Sequence, residues 1–308
     1  MHIPSPAVAM RTLPLALLLT ACGDISNAFL LEDTEFLDAL PSSARQTVSI
    51  EPEGAKGWLD HAPTLLVVSY EVSTSVNDLL LGVLDTMDYV RTLRPSERTE
   101  DARRWGPYPY KGVDVEVWNT RTGAGRFAWG VDALADAGTL TYIAGTHYAG
   151  DSVAAGDGQF TWRLGDAAER VGEPARGTLV VDYDNRAGID LLVDIQGVTD
   201  GTTAPLTALY AYRLVEGEGD FQYTFSADVN DDGLVEDCAI RTRWNVGLGG
   251  RADALVTGGS LGDTVERWSQ CWDAAVYLVY EADDQGFVTP VGAEGDCSFP
   301  SFAEVDRI

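Results

Sequence analysis

The sequence predicts a mainly β protein of the α+β kind, in which a long amphipathic helix on the N-terminal side packs on a strongly curved antiparallel β-meander or open barrel. Three observations carry this. Apolar side chains recur at three- and four-residue steps over one stretch, they alternate with polar ones over most of the remainder, and glycine, aspartate and asparagine clusters cut the alternating part into short runs. Parallel strands would need crossovers of a dozen residues or more, and no second helical pattern is there to supply them.

The 308-residue chain opens with Arg11 and an apolar run from Leu13 to Leu19, closing on Leu19-Thr20-Ala21-Cys22. That run is well short of the roughly 20 residues a membrane-spanning helix needs, so residues 1–21 read as a targeting segment outside the fold. Leu-Thr-Ala-Cys resembles the lipobox of bacterial lipoproteins, which implies a mature chain that starts at an acylated Cys22. Several acyl chains on one residue give the multiple hydrophobic signals that stable anchoring requires. Gly23, not an acid, follows the cysteine, and by analogy with the enteric sorting pattern this favours the outer membrane, at its periplasmic face or at the cell surface.

Residues 22–62 mix acids, Pro41, Pro52 and Gly54 with short apolar patches, so they are expected to form an acidic, weakly ordered tether with one helical turn around Phe29 to Leu40. From Pro63-Thr64 to Leu93, Val72, Val76, Leu79, Leu80, Val83, Leu84, Met87 and Val90 fall on one helical face, and Pro95 stops the helix. Leu65 to Tyr70 is β-branched enough to be a strand instead. The period then becomes two: Val113, Val115 and Val117, followed after the Gly123-Ala124-Gly125 turn by Phe127, Trp129 and Val131. Further alternating runs start at Leu140, Phe160, Leu179, Leu191, Phe221, Cys238 and Ala252, and a last strand is expected from Ala274 to Tyr280. These make about ten strands, with Trp105-Gly106-Pro107 as a turn capping the entry to the sheet. Residues 63–308 fit one domain, since all-β units of 200 to 250 residues are common.

Forty-eight acidic against 21 basic side chains give a formal charge of −27, which excludes a general nucleic-acid binder. A hydrophobic content of 45% is enough to fill a core. With Cys22 acylated, Cys238, Cys271 and Cys297 remain. In an oxidising compartment, one disulfide and one free thiol is the simplest allocation. Cys271 with Cys297 is favoured because a bridge there pins a loose C-terminal tail at modest loop-closure cost. A three-cysteine metal site stays open, although it would lack the close pairing usual for zinc.

Asp228-Val229-Asn230-Asp231-Asp232-Gly233-Leu234-Val235-Glu236 resembles the β-hairpin calcium loops of extracellular proteins. Side-chain oxygens of Asp228, Asn230, Asp232 and Glu236 with the carbonyl of Leu234 would surround a Ca2+ ion, which would brace the hairpin and not catalyse. A merely solvated polar turn is the other reading. Nucleophilic catalysis is poorly provided for: only His61 and His147 follow Cys22, and Gly150-Asp151-Ser152 lacks a C-terminal histidine partner. The strand aromatics Phe127, Trp129, Tyr142, Phe160, Trp162, Phe221, Tyr223 and Phe225 either fill a core against the helix or line a cavity for a hydrophobic ligand.

At Glu100-Asp101-Ala102-Arg103-Arg104-Trp105-Gly106-Pro107, Arg241-Thr242-Arg243-Trp244, Gly250-Arg251-Ala252-Asp253 and Ser269-Gln270-Cys271-Trp272-Asp273-Ala274, the chain resembles uncharacterised lipobox-bearing lipoproteins of high-GC Gram-negative bacteria. The likeness covers most of residues 64 to 300, and nineteen arginines against two lysines fit that coding bias. It implies the signal, one domain and the Cys271–Cys297 pairing, and no activity. In shape alone, a helix on a curved sheet also resembles periplasmic lipoprotein-carrier half-barrels. The expected function is that of a lipid-anchored, non-enzymatic structural or interaction module of the cell envelope with a protein partner. A carrier or sensor of a hydrophobic ligand is the alternative, and an undetected hydrolase ranks last.

Overall fold

The computed structural model describes residues 27–50, 57–135, 138–166, 174–202, 205–228, 232–245, 247 and 249–301. Three α-helices come first: α1 (Asn27–Asp38), α2 (Ser43–Gln46) and α3 (Thr64–Val90). The strands follow as β1 (Glu97–Arg98), β2 (Ala102–Tyr110), β3 (Val113–Gly123), β4 (Arg126–Ala135), β5 (Gly138–Ala149), β6 (Gly156–Arg163) and β7 (Arg176–Asp184). Then come β8 (Ile189–Thr199), β9 (Leu206–Val215), β10 (Glu218–Ala227), β11 (Glu236–Asn245), β12 (Gly249–Gly258), β13 (Val265–Trp272) and β14 (Leu278–Asp283). All fourteen form one antiparallel sheet in chain order, and β1 and β14 are its two edges, so the sheet does not close into a barrel.

The long helix lies within the expected segment and is helical from Thr64, including Leu65 to Tyr70. It is not N-terminal, however, because α1 and α2 precede it. Leu80, Val83, Leu84 and Met87 are fully buried, and the apolar cluster they belong to takes in side chains from β2 through β13. Ser69 satisfies its hydroxyl within this core on the Leu65 carbonyl, the Tyr223 hydroxyl (3.2 Å) and the Thr242 hydroxyl (2.5 Å).

The expectation of a weakly ordered tether over residues 22–62 fails for residues 31–50. Phe36, Ala39, Leu40, Val48 and Ile50 are buried in the same core. Phe36 lies edge-on to Phe127 at 5.6 Å, with the guanidinium groups of Arg103 and Arg121 over its ring at 4.4 and 4.9 Å. Asn77 of α3 holds the Val48 backbone at both its N–H and its C=O, each at 2.7 Å. The acids that made this stretch look like a solvated linker are partners instead. Asp33 accepts from Arg98 and Arg103; burial pushes its pKa up, but these two hydrogen bonds outweigh that and hold the carboxyl below its ordinary range.

Ten strands were expected and fourteen are present. Trp105-Gly106-Pro107 is not a capping turn but lies within β2, at a register shift between Trp105 and Tyr108, with Trp105 fully buried. In β9 the outward Leu209 and Ala211 are themselves apolar, which hid the alternation of Ala208, Tyr210 and Tyr212. In β13 the inward face includes Gln270, a polar residue, for a reason given below. The strand expected from Ala274 to Tyr280 is a turn over Asp273–Tyr277 followed by β14, because the Asp273 carboxylate accepts the N–H groups of Ala275 and Tyr277.

Glycines set how closely these strands and their large rings approach. Trp129 lies opposite Gly145, Trp244 opposite Gly219, and Trp272 opposite Gly250. A Cβ built on Gly145 would come within 2.6 Å of the Trp129 indole and 2.8 Å of the Gln159 carbonyl oxygen. Each indole thus occupies the volume that a cross-strand side chain would fill. Gly145→Ala is expected to lower stability by roughly 1–3 kcal/mol, the usual cost of overpacking a filled core. Urea unfolding checks this, with an unchanged midpoint counting against the close packing.

Candidate functional site

The eight aromatic positions do converge, but on a packed interior. Phe127, Trp129, Phe160, Phe221 and Tyr223 are at most 1% exposed, while Tyr142, Trp162 and Phe225 are partly buried against the same cluster. Ring contacts fall in two groups on this face: Trp129 to Phe160 at 5.7 Å, and Phe221 to Tyr223 at 5.0 Å with Tyr223 to Phe225 at 6.1 Å. Trp162 meets the helix at Gly82, where a Cβ would lie 2.8 Å from the indole.

In the acidic hairpin, Asp228 accepts the N–H groups of Asp232 (3.1 Å) and Gly233 (2.8 Å), and Asp232 accepts that of Leu234 (2.8 Å). Glu236 is buried at the start of β11, where its carboxylate accepts the Ser260 N–H and presses on Gly259. The structure therefore does not bring Glu236 to the loop's own carboxylates, and Asn230 lies outside the described residues. Among the described residues no group of three or more His, Cys, Asp or Glu side chains could hold a metal ion.

Cys271 and Cys297 form a disulfide. It anchors the C-terminal segment over the outer face of β12–β14. Beneath that segment, Arg251 (1% exposed) donates to Asp253 at 2.9 Å and forms an ion pair with Glu294 at 3.0 Å, while Ser269 donates to Asp253. Arg243 lies over the Phe299 ring at 4.8 Å. Along the edge, Glu281 and Val291 exchange both backbone hydrogen bonds. The Glu281 carboxylate accepts from Gln270 (2.6 Å) and Trp268 (3.1 Å), and the Gln270 carbonyl oxygen accepts the Leu65 N–H at the start of α3 (2.8 Å). This is why a polar Gln270 faces inward: it links the β14 edge to the helix N-terminus, whose N–H groups lack intrahelical partners.

Among the described residues, Cys238, His147 and Ser152 do not come together as a nucleophile and its base. Burial, with Glu236 and Asp237 nearby, pushes the Cys238 thiol up to about 11, so it stays protonated on the core face. His147 Nε2–H donates to the Val153 carbonyl at 2.7 Å, which leaves Nδ1 to accept the Tyr183 hydroxyl at 3.0 Å. Ser152 accepts the Ala155 N–H in the turn after β5, so it is not the partner of either ring nitrogen. Cys22 and the lipobox lie outside the described residues. No described helix is long and apolar enough to cross a membrane. No family model, curated protein or solved structure matches the chain.

The outer face also carries a trough of about 360 Å³ across β8–β12, with Leu209, Thr224 and Ala239 in its floor. Nothing in the one-dimensional pattern marked it, because it requires the register of four hairpins, two of them involving the unforeseen β9.

Replacing both bridged cysteines by serine is expected to cost about 3 kcal/mol, from the loop entropy of a 26-residue separation. It should also open residues 284–301 to limited proteolysis, and an unchanged cleavage pattern would mean that the tail is held without the bridge. Burial keeps the His147 pKa below its ordinary 6.5, so the unfolded chain takes up the proton first as pH falls. The stability His147 confers is then full above pH 6.5 and lost below it. Urea midpoints across pH 8 to 5 should fall more steeply for the native chain than for His147→Gln, and parallel curves would remove this assignment.

Proposed function

We propose that this chain is a lipid-anchored cell-envelope lipoprotein whose β domain works as a non-enzymatic structural or interaction module. The observation that carries the module reading is the use of the aromatic strand face as core: five of its eight rings are essentially inaccessible and packed with α3. A carrier of a hydrophobic ligand between helix and sheet would need those side chains to wall a hollow, whereas Phe127, Trp129, Phe160, Phe221 and Tyr223 are spent on the apolar core shared with α3. A hydrolase would need a free base beside a nucleophile, and both ring nitrogens of His147 are engaged elsewhere. A calcium brace at the Asp228–Glu236 hairpin would have to replace the bonds that Asp228 makes to its own loop backbone and do without Glu236, which bonds the Ser260 N–H.

The anchor rests on Leu19-Thr20-Ala21-Cys22 following a short apolar run. Acylation of Cys22 would hold the module at the membrane surface through α1, whose acids are tied to β1–β3 by Arg98, Arg103 and Arg121. The resemblance to lipobox-bearing lipoproteins of high-GC Gram-negative bacteria supports the same signal, Gly23 after the cysteine favours the outer membrane as the site, and an envelope protein is the partner this reading expects.

Full-length chain expressed in a Gram-negative host fed an alkyne fatty acid should acquire the label, and Cys22→Ala should not. Absence of label on the native chain would overturn the anchor.

A further inference from the structure

The trough on the outer face is built from two neighbouring rows of side chains that run across the strands. The first row is Asp194, Leu209, Thr224, Ala239 and Leu255, each directly opposite the next in the ladder. The second contains Ser226, Asp237 and Thr257, with Thr207 beside Leu209 on β9. Ala208, Phe225 and Cys238 also border the trough, but each lies between two floor residues of its strand, so their side chains point to the core and only their backbone forms the floor. The small side chains of these rows create the depression. In the next row along the strands stand the longer Gln222 and Arg241.

The chemistry of the trough has one sign. Asp194 accepts the Gln196 side-chain amide at 2.6 Å and Asp237 accepts the Ser226 hydroxyl at 2.6 Å, and neither has a basic partner among the described residues. Two other carboxylates on this face are neutralised: Asp220 takes the Arg241 guanidinium at 2.9 and 2.6 Å, and Asp253 takes Arg251, whereas Asp182, one strand beyond Asp194 and outside the trough, accepts the Gln159 amide. Arg267, opposite Leu255, stands beyond the β12 end of the trough and is paired with Asp284. A cationic ligand is therefore bounded on that side and held between Asp194 and Asp237. Three strand spacings of about 4.8 Å and an offset of two residues along the strand place the backbones of these two residues about 16 Å apart. Between them lie apolar patches from Leu209 and Ala239 alternating with the hydroxyls of Thr224 and Ser226.

We propose that this trough binds a linear aliphatic polyamine, with its terminal ammonium groups at Asp194 and Asp237, its inner nitrogens donating to the threonine and serine hydroxyls, and its methylenes over Leu209 and Ala239. Charge complementarity selects the ligand class, and carboxylate spacing selects its length. A short diamine cannot reach both acids, and a neutral diol of matched length leaves both unpaired. The site goes beyond the envelope reading and does not depend on acylation of Cys22.

The test is amide NMR of the full chain titrated with spermine at about 0.15 M salt, where a Debye length of about 8 Å screens the diffuse acidic field. Saturable shifts confined to residues 194–196, 207–209, 224–226, 237–239 and 255–257 are expected. Affinity should fall at least about tenfold for Asp194→Asn combined with Asp237→Asn, since two charge-assisted hydrogen-bonded contacts are lost. Asp182→Asn, on the same face one strand beyond Asp194, should leave affinity unchanged, as should Cys22→Ala. A peptide with lysines four residues apart that displaces spermine would identify a protein as the source of the same ammonium groups. Shifts scattered over the acidic surface, equal loss in Asp182→Asn, or equal affinity for 1,4-diaminobutane or a long diol would overturn the proposal.

Discussion

An antiparallel ladder of fourteen strands that does not close has one apolar face to hide and two edges to block, and most of the remaining structure answers to that constraint. A single helix, α3, supplies the largest cover. At about 1.5 Å per residue its 27 residues extend about 40 Å, and its contacts run from Gln270 of β13 at its start to Trp162 of β6 at Gly82. Against β2 and β3, α1 adds to this cover, with the Arg103 and Arg121 guanidinium groups over the Phe36 ring.

The edges are handled by different means. At the first, β1 is only two residues long, and the remainder of β2 carries Pro107 and Pro109, which have no N–H to offer a second chain. At the other, the C-terminal segment turns on Asp283, whose carboxylate accepts the N–H groups of Gln285, Phe287 and Val288, and then lies along β14 through Glu281 and Val291. The disulfide fixes that segment where the ion pairs of Arg251 need it. Removal of the bridge therefore acts on the edge and on a buried charge cluster together, since Arg251 is almost wholly inaccessible and depends on Asp253 and Glu294 for its neutralisation.

Within this frame the polar groups of the core are mostly joints. Ser69 ties α3 to β10 and β11, Gln270 ties it to β13 and β14, and Asn77 ties it to the segment after α2. His147 belongs to the same class: its ring joins Tyr183 of β7 to the Val153 carbonyl, and the space around it exists because Gly156 has no Cβ to meet the imidazole. Such residues look functional in isolation because histidine, serine and glutamine carry chemistry elsewhere. Their partners identify them here as structural.

The sequence by itself determined the β-rich class, the amphipathic helix over Val72 to Val90 and most of the alternating strands, because these depend on local periodicity, and it favoured the cysteine pair among the three that three thiols allow. It misjudged residues 31–50, where Asp33, Glu32 and Glu35 read as solvated acids until arginines 65 to 86 residues away were placed beside them. It also missed β2, β9 and β13, whose outward or inward positions break the polar alternation for tertiary reasons. The burial of the aromatic stripe was decided by the packing of the helices on the sheet, and whether any outward acids shared a trough only by the register of strands from β8 to β12. Pairing across a ladder brings together side chains that have no proximity in the chain, and no single-strand pattern encodes which residue stands opposite which.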